Sequence, residues 1–219
     1  MKKTGNKLKE NLNQKDFIAK GQCVMRLLMT KLEMINVELS VKLKRDVIQT
    51  KTGRLKTYRS TCKKLSKKGL EKNFSTALEN IHDLIGVRAV CSYVDDIYLV
   101  QRMLEEQMDM NILKIKDYIK NPKDSGYQSL HMILEIPLVF QGETQWVKAE
   151  LQLRTAAMDY WANLDHQLRY KKEDSRTYAA AIDQELKKCA EIVEYLDRTM
   201  LGIRRQIENF LQRTFRERG

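Results

Sequence analysis

Two prolines, nine glycines and no low-complexity tract leave little room for long disordered segments in these 219 residues. Cysteine is just as scarce. Cys23, Cys62, Cys91 and Cys189 stand far apart, with no CxxC and no zinc-like or disulfide-like spacing, so a stapled module is excluded. Reduced, mostly buried thiols of a cytoplasmic protein are expected. No apolar run approaches membrane-spanning length, and the basic start lacks the apolar core of a signal peptide. A soluble chain with no membrane partner is expected. Acidic residues fall short as well: 29 Asp and Glu face 40 Lys and Arg, a net charge of +11 with pI near 9.4. That excess suggests a polyanionic partner, whether nucleic acid, nucleotide phosphates or anionic lipid. The length suits one domain with elaborations.

What is present centres on Glu150-Leu-Gln-Leu-Arg-Thr155. From Trp146, residues Val147, Ala149, Leu151 and Leu153 alternate with Lys148, Glu150, Gln152 and Arg154, the period of a half-buried strand. Its polar face sets a carboxylate, an amide and a guanidinium side by side. The chain then enters a helical pattern through Ala156, Met158 and Trp161. Other strands are expected at Val87–Ser92, Ile112–Tyr118 and Tyr127–Ile136. In the second, Leu113 and Ile115 face one way and Lys114 and Lys116 the other. The third points Leu130, Met132, Leu134 and Ile136 to the core, and returns through a connection over 137–144 to pair antiparallel with the Glu150 strand. Each strand thus has an apolar face and a wet one bearing Arg88, Lys114, Lys116, Tyr127, His131, Glu150, Gln152 or Arg154. A cationic cleft with one aromatic and two isolated carboxylates fits a nucleotide better than a duplex: the aromatic stacks on a base, cations hold phosphates, and carboxylates hold Mg²⁺ or take a proton.

The remaining segments read as helices and breaks. The first twenty residues are polar and frayed, a packing helix runs from Cys23 through Leu39, and a loop falls at 49–53. Arg54 to Lys68 is an amphipathic helix with Lys56, Ser60, Lys63, Lys64 and Lys67 on one side, either a phosphate site or a solvated face. Ser75 caps a short helix, and Asp95 or Asp96 caps another. Asp83 precedes a strand, where a carboxylate suits a hard cation. A His82–Asp83 metal phosphohydrolase would need further ligands, and only His131 and His166 remain. Trp161, Met158 and Leu164 read as core and His166 as a structural histidine. From Ser175, Ile182, Leu186, Cys189, Val193, Leu196, Met200, Ile203, Ile207 and Phe210 keep a heptad spacing that favours helix-to-helix contact between subunits.

Four motifs occur in the order of a known family: Arg54-x-Lys56-x-x-x-Ser60-x-x-x-Lys64, His82-Asp83-Leu-Ile-Gly-Val-Arg88, Lys123-Asp-Ser-Gly-Tyr127-Gln-Ser-Leu-His131 and Glu150-Leu-Gln-Leu-Arg-Thr155. The chain resembles the RelA/SpoT-type alarmone synthetases, and without the family's hydrolase and regulatory regions it looks like a stand-alone small member. The resemblance implies an α/β (α+β), nucleotidyltransferase-like fold, with a mixed, largely antiparallel sheet of about four to five strands flanked by helices. It implies an N-terminal helical segment over 1–50, a catalytic domain over 51–172 and an oligomerising heptad helix over 173–219, with a homotetramer favoured. The implied reaction is Mg²⁺-dependent transfer of the pyrophosphoryl group of ATP to the 3′-hydroxyl of GDP or GTP. Arg54, Lys56, Ser60, Lys64 and Arg88 would then bind ATP. Asp83 would hold Mg²⁺, and Glu150 would be a second metal ligand or the base. Tyr127 would stack on guanine, Lys123 and His131 would meet acceptor phosphates, and Lys116, Gln152, Arg154 and Asp159 would complete that side. Two other classes fit the same residues: a non-catalytic module binding guanine nucleotides or single-stranded RNA, and an oligomeric scaffold recruiting an acidic partner.

Overall fold

The computed structural model describes residues 2–170 and 176–217. Its axis is β5 (Glu143–Thr155), which pairs antiparallel with β4 (Leu130–Phe140) along its length and parallel with β2 (Ile85–Cys91). With β1 (Ile48–Leu55) and β3 (Asn111–Asp117) at the edges, the sheet order is β1-β2-β5-β4-β3. The expected mixed, largely antiparallel sheet is present.

The period-two alternation has its predicted consequence. Ala149, Leu151 and Leu153 of β5, Leu130, Met132 and Leu134 of β4, and Val87, Ala89 and Cys91 of β2 share one core. Helices α2 (Lys15–Leu43) and α5 (Val94–Glu105) cover it, α2 contributing Val24, Leu28, Leu32, Ile35 and Leu39. The other sheet face is flanked by α3 (Tyr58–Lys67), α4 (Phe74–Asn80) and α6 (Ala156–Tyr170). A satellite core joins α1 (Lys2–Leu12), through Leu8 and Leu12, to Leu65, Ala77, Ile81 and Leu84. The last helix, α7 (Arg176–Glu217), packs Ile182, Leu186, Ala190 and Val193 against Trp161. Among the described residues no helix is long and apolar enough to cross a membrane.

Several expectations need correction. Residues 49–53 form part of β1, not a loop; as a polar edge strand, β1 has only Ile48 buried and lacks the alternation that marks a strand. The first twenty residues are helical from Lys2 to Leu12 and again from Lys15, and Leu8 and Leu12 are core. Residues 54–57 are strand and connection, and α3 begins at Tyr58, capped by the Thr57 hydroxyl. Asn73, not Ser75, caps α4. Asp95 and Asp96 lie within α5, where the Asp96 carboxylate accepts from the Tyr93 N–H. The proposed connection at 137–144 is a two-residue turn, Gln141-Gly142, with φ of 54° and 85°, the positive pair a tight hairpin requires. Pro137 is tolerated in β4 because that strand has by then run past its pairing with β3, which ends at Glu135. In β3 a register shift between Ile112 and Lys114 turns Leu113 to solvent, so Ile112 and Ile115 supply its apolar contacts. Of the thiols only Cys91 is buried, and Cys189 is exposed. Leu164 is exposed, as are Leu196, Met200, Ile203, Ile207 and Phe210 of the heptad stripe; Ser175 lies outside the described residues.

Candidate active site

The register builds the site. Reading across the sheet, Thr52, Arg88, Gln152, His131 and Lys116 are successive neighbours on five strands. One step along, Arg54, Gly86, Glu150, Ile133 and Lys114 form a second row. Paired residues share a face, so the polar side chains of separate motifs meet on one floor. Gly86 puts no side chain between Arg54 and Glu150, and a cleft of about 520 Å³ opens above it. Arg54, Asp83, Arg88, Tyr127, Glu150, Gln152 and Arg154 line this cleft, with Asn163, Asp165 and His166 of α6 along its rim.

At the β1–α3 side, Asp83 stands between two ammonium groups. Lys56 Nζ donates to one carboxylate oxygen at 2.6 Å and Lys64 Nζ to the other at 2.7 Å. Burial pushes the Asp83 carboxyl up, but the two lysine hydrogen bonds outweigh it and hold the group below its ordinary value of 3.8. Ser60 sits at the α3 cap, where its N–H donates to Thr57 Oγ1, and like Lys56 and Lys64 it stands outside the lining of the cleft.

At the other side, Arg154 organises everything around it. Only 4% of its side chain is exposed. Its guanidinium donates to Ser129 Oγ at 3.3 Å, Asp159 Oδ1 at 3.0 Å, Gln152 Oε1 at 3.0 Å and Tyr127 Oη at 2.5 Å. Gln152 passes the order on, its Nε2 donating to Glu150 Oε1 at 2.7 Å. This ladder of Arg154, Gln152 and Glu150 is the polar face of one strand, read at every second residue.

His131 lies under this layer. Burial, reinforced by Arg154, Lys123, Lys116 and Lys64, lowers it to about 3, so the imidazole is neutral. Tyr127 Oη, already accepting from Arg154, gives its proton to Nε2 at 2.8 Å. The ring proton then belongs on Nδ1, which faces Glu150 Oε1 at 3.6 Å. His131 is 8% exposed and uncharged, with the Tyr127 hydroxyl and the Glu150 carboxylate as its polar neighbours. Lys123 stands over the rings of Tyr118 and Tyr127, at 4.7 and 4.8 Å from their centroids, and lines no part of the main cleft. Lys116 and Lys114 continue the cationic floor beyond it.

Asp159 sits between two arginines. Its Oδ1 accepts from Arg154 and lies 2.9 Å from Arg88 Nη1, while Oδ2 accepts from Asn163 Nδ2. Both of its oxygens are thus engaged, and it bridges the two arginines. Asn163 escaped the sequence reading and His166 was assigned a structural role there, yet the signal was present: Asp159, Asn163 and His166 fall at i, i+4 and i+7, one face of α6. His166 is exposed at the rim and not a structural core histidine. Trp161 and Met158 are core as expected, Trp161 donating from Nε1 to the Leu186 carbonyl at 2.9 Å.

Residues 53–175 match the model of a region found in RelA / SpoT proteins. The chain is 41% identical over 179 residues to the GTP pyrophosphokinase YwaC of Bacillus subtilis (strain 168), covering 82% of this chain and 84% of that one. It is similar to the crystal structure of small alarmone synthetase 2 from Bacillus subtilis, with a TM-score of 0.76 and 39% identity over 88% of this chain and 98% of that one. It is also similar to small alarmone synthetase 1 from the same organism bound to its product pppGpp, with a TM-score of 0.79 and 30% identity over 88% and 96% of the two chains.

Proposed function

The chain belongs to the RelA/SpoT family, and we propose that its cleft carries out the GTP pyrophosphokinase reaction, moving the β,γ-pyrophosphoryl group of ATP to the 3′-hydroxyl of GDP or GTP. The observation that carries this reading is the shared floor: two carboxylates, Asp83 and Glu150, open on one cleft between a cation cluster and an aromatic one. Binding alone would need neither carboxylate.

ATP enters on the side of Arg54, Lys56, Lys64 and Arg88, whose charges hold the triphosphate. Lys56 and Lys64 turn from Asp83 to the phosphates, which frees both Asp83 oxygens. The guanine nucleotide stacks on Tyr127, displacing the exposed Lys123 ammonium from the ring so that Lys123 meets the acceptor phosphates. Arg154 and His131 hold the Tyr127 ring by its hydroxyl. Glu150, aligned by Gln152 and close to His131, takes the proton of the 3′-hydroxyl as that oxygen attacks the β-phosphorus and AMP leaves.

The donor set suits Mg²⁺. Among the described residues no cluster of three or more His, Cys, Asp or Glu could cage a metal. Mg²⁺, however, is commonly held by one or two carboxylates together with substrate phosphates and water. Asp83 would hold it together with the triphosphate oxygens and water, and the ion would neutralise charge on the triphosphate.

Residues 51–172 form the catalytic unit in this reading, and the apolar outer stripe of α7, from Leu196 to Phe210, supports assembly with further copies of the chain, a homotetramer being favoured. The protein acts in the cytoplasm. Incubating it with ATP, Mg²⁺ and GDP, GTP or GMP in parallel tests the reaction. One AMP per tetra- or pentaphosphate product is the expected result; nucleotide binding without AMP release would leave only a binding module.

A further inference from the structure

Helix α7 meets the acceptor side of the cleft from behind. Leu186, Ala190, Val193 and Asp197 fall at steps of four, three and four, a single helical stripe. Each of three members touches a different part of the acceptor side. The Leu186 carbonyl accepts from Trp161. Ala190 closes on Gly126, where an added Cβ would lie 2.5 Å from the alanine methyl. Asp197 Oδ2 accepts from the Thr155 hydroxyl at 2.6 Å.

Thr155 is 1% exposed and serves two elements at once. While donating to Asp197, its Oγ1 also accepts from the Met158 N–H at 3.1 Å, closing the first turn of α6. That same turn presents Asp159, the clamp on Arg154 and Arg88. Arg154 in turn fixes the Tyr127 hydroxyl. The path from α7 to the guanine-stacking ring is therefore continuous, through Asp197, Thr155, the α6 turn, Asp159 and Arg154. Burial lifts the Asp197 carboxyl above its ordinary range, and only the Thr155 bond opposes that rise. A half-buried carboxylate is an expensive way to fill a position that needed packing alone.

We infer that Asp197 is a positioning residue for the acceptor nucleotide, latching α7 onto the N-terminus of α6 so that the Asp159–Arg154–Tyr127 cluster stays aligned. This rests on the functional reading above. It makes the long helix a structural part of the guanine-nucleotide subsite. Arg54, Lys56 and Lys64 of the ATP side rest on β1, α3 and the connection between them at the opposite edge of the cleft, and Arg88 keeps a second partner in Asn163 Oδ1 at 3.1 Å.

The test compares Asp197→Leu, which removes the acceptor, with Asp197→Asn, which keeps one. Asp197→Leu is expected to raise KM for GDP about tenfold, with KM for ATP and kcat changed less than about threefold (tenfold corresponds to ~1.4 kcal/mol). Asp197→Asn is expected to restore the wild-type KM for GDP to within about threefold. A KM for GDP in Asp197→Leu that matches wild type, or a parallel rise in both KM values, overturns the inference. If circular dichroism shows that Asp197→Leu does not fold, Thr155→Ser and Thr155→Val give the same comparison from the other end of the bond: Ser keeps the GDP KM, Val raises it, and equal values overturn the inference. A wild-type protein that makes no product would refute the functional reading itself; an active wild type with an unaffected Asp197→Leu refutes only the role of Asp197.

Discussion

Arg154→Lys keeps the charge and most of the stem of the most connected side chain in the site, and removes the fork. The structure allows the cost to be divided. Ser129 Oγ stays satisfied, because it donates to the Leu153 carbonyl as well. Asp159 can keep an ion pair with the ammonium. Tyr127 retains His131 as a partner but loses the donor that fixes its hydroxyl, and Gln152 Oε1 loses the hydrogen bond that holds it. Two lost hydrogen bonds in a buried setting, at about 1 kcal/mol each, amount to ~2 kcal/mol. At 1.36 kcal/mol per tenfold, that is roughly a thirtyfold fall in kcat/KM for the guanine nucleotide. The assay is initial-rate AMP release at saturating ATP with GDP varied, on a variant whose circular dichroism matches wild type. The loss should sit on the GDP side. A kcat/KM for GDP within about threefold of wild type, or an equal loss on the ATP side, would refute the view that the Arg154 fork builds the acceptor subsite.

Other perturbations probe the frame. Asn36 is buried in α2, its Oδ1 accepting from the Val47 and Ile48 N–H groups at 3.0 and 2.7 Å; Asn36→Leu strands two buried donors and should cost about 2–4 kcal/mol in urea unfolding. Gly126 has φ +85° and no room for a Cβ beneath Ala190, so Gly126→Ala should lower stability by about 1–3 kcal/mol; an unchanged melting temperature would contradict that packing. The Asp197 carboxyl is raised above 3.8, so above that pH the folded chain keeps a proton that the unfolded chain has shed, and its contribution to stability declines as pH rises through the folded value. Asp197→Asn should therefore gain stability relative to wild type as pH rises from about 4 to about 7, and a pH-independent difference would count against the raised carboxyl.

The legible parts of this protein are those where one period dominates. Strand β5 alternates without interruption, and Glu150, Gln152 and Arg154 could be placed on one face from the sequence; β4 and β2 followed for the same reason. β1 was illegible because an edge strand facing solvent has no hydrophobic alternation to betray it, although it brings Thr52, Gly53 and Arg54 to the cleft. Leu113 misled because a β-bulge reverses the parity on which face assignments depend. Residues were found more readily than their roles. The family motifs pointed to Asp83 and His131, and the helix after the last motif to Asp159, but no pattern states that two lysines hold the first, that burial neutralises the second, or that two arginines flank the third. Those roles depend on tertiary neighbours, and so does the Thr155–Asp197 bond, formed between residues 42 positions apart in the chain.

Glu150→Gln tests the central claim most directly, because it keeps the shape of the side chain and removes its basicity. If Glu150 takes the 3′-hydroxyl proton in the cleft, kcat for AMP release should fall at least about a hundredfold, while the dissociation constants for ATP and GDP stay within about threefold of wild type. Full turnover in that variant would contradict the account.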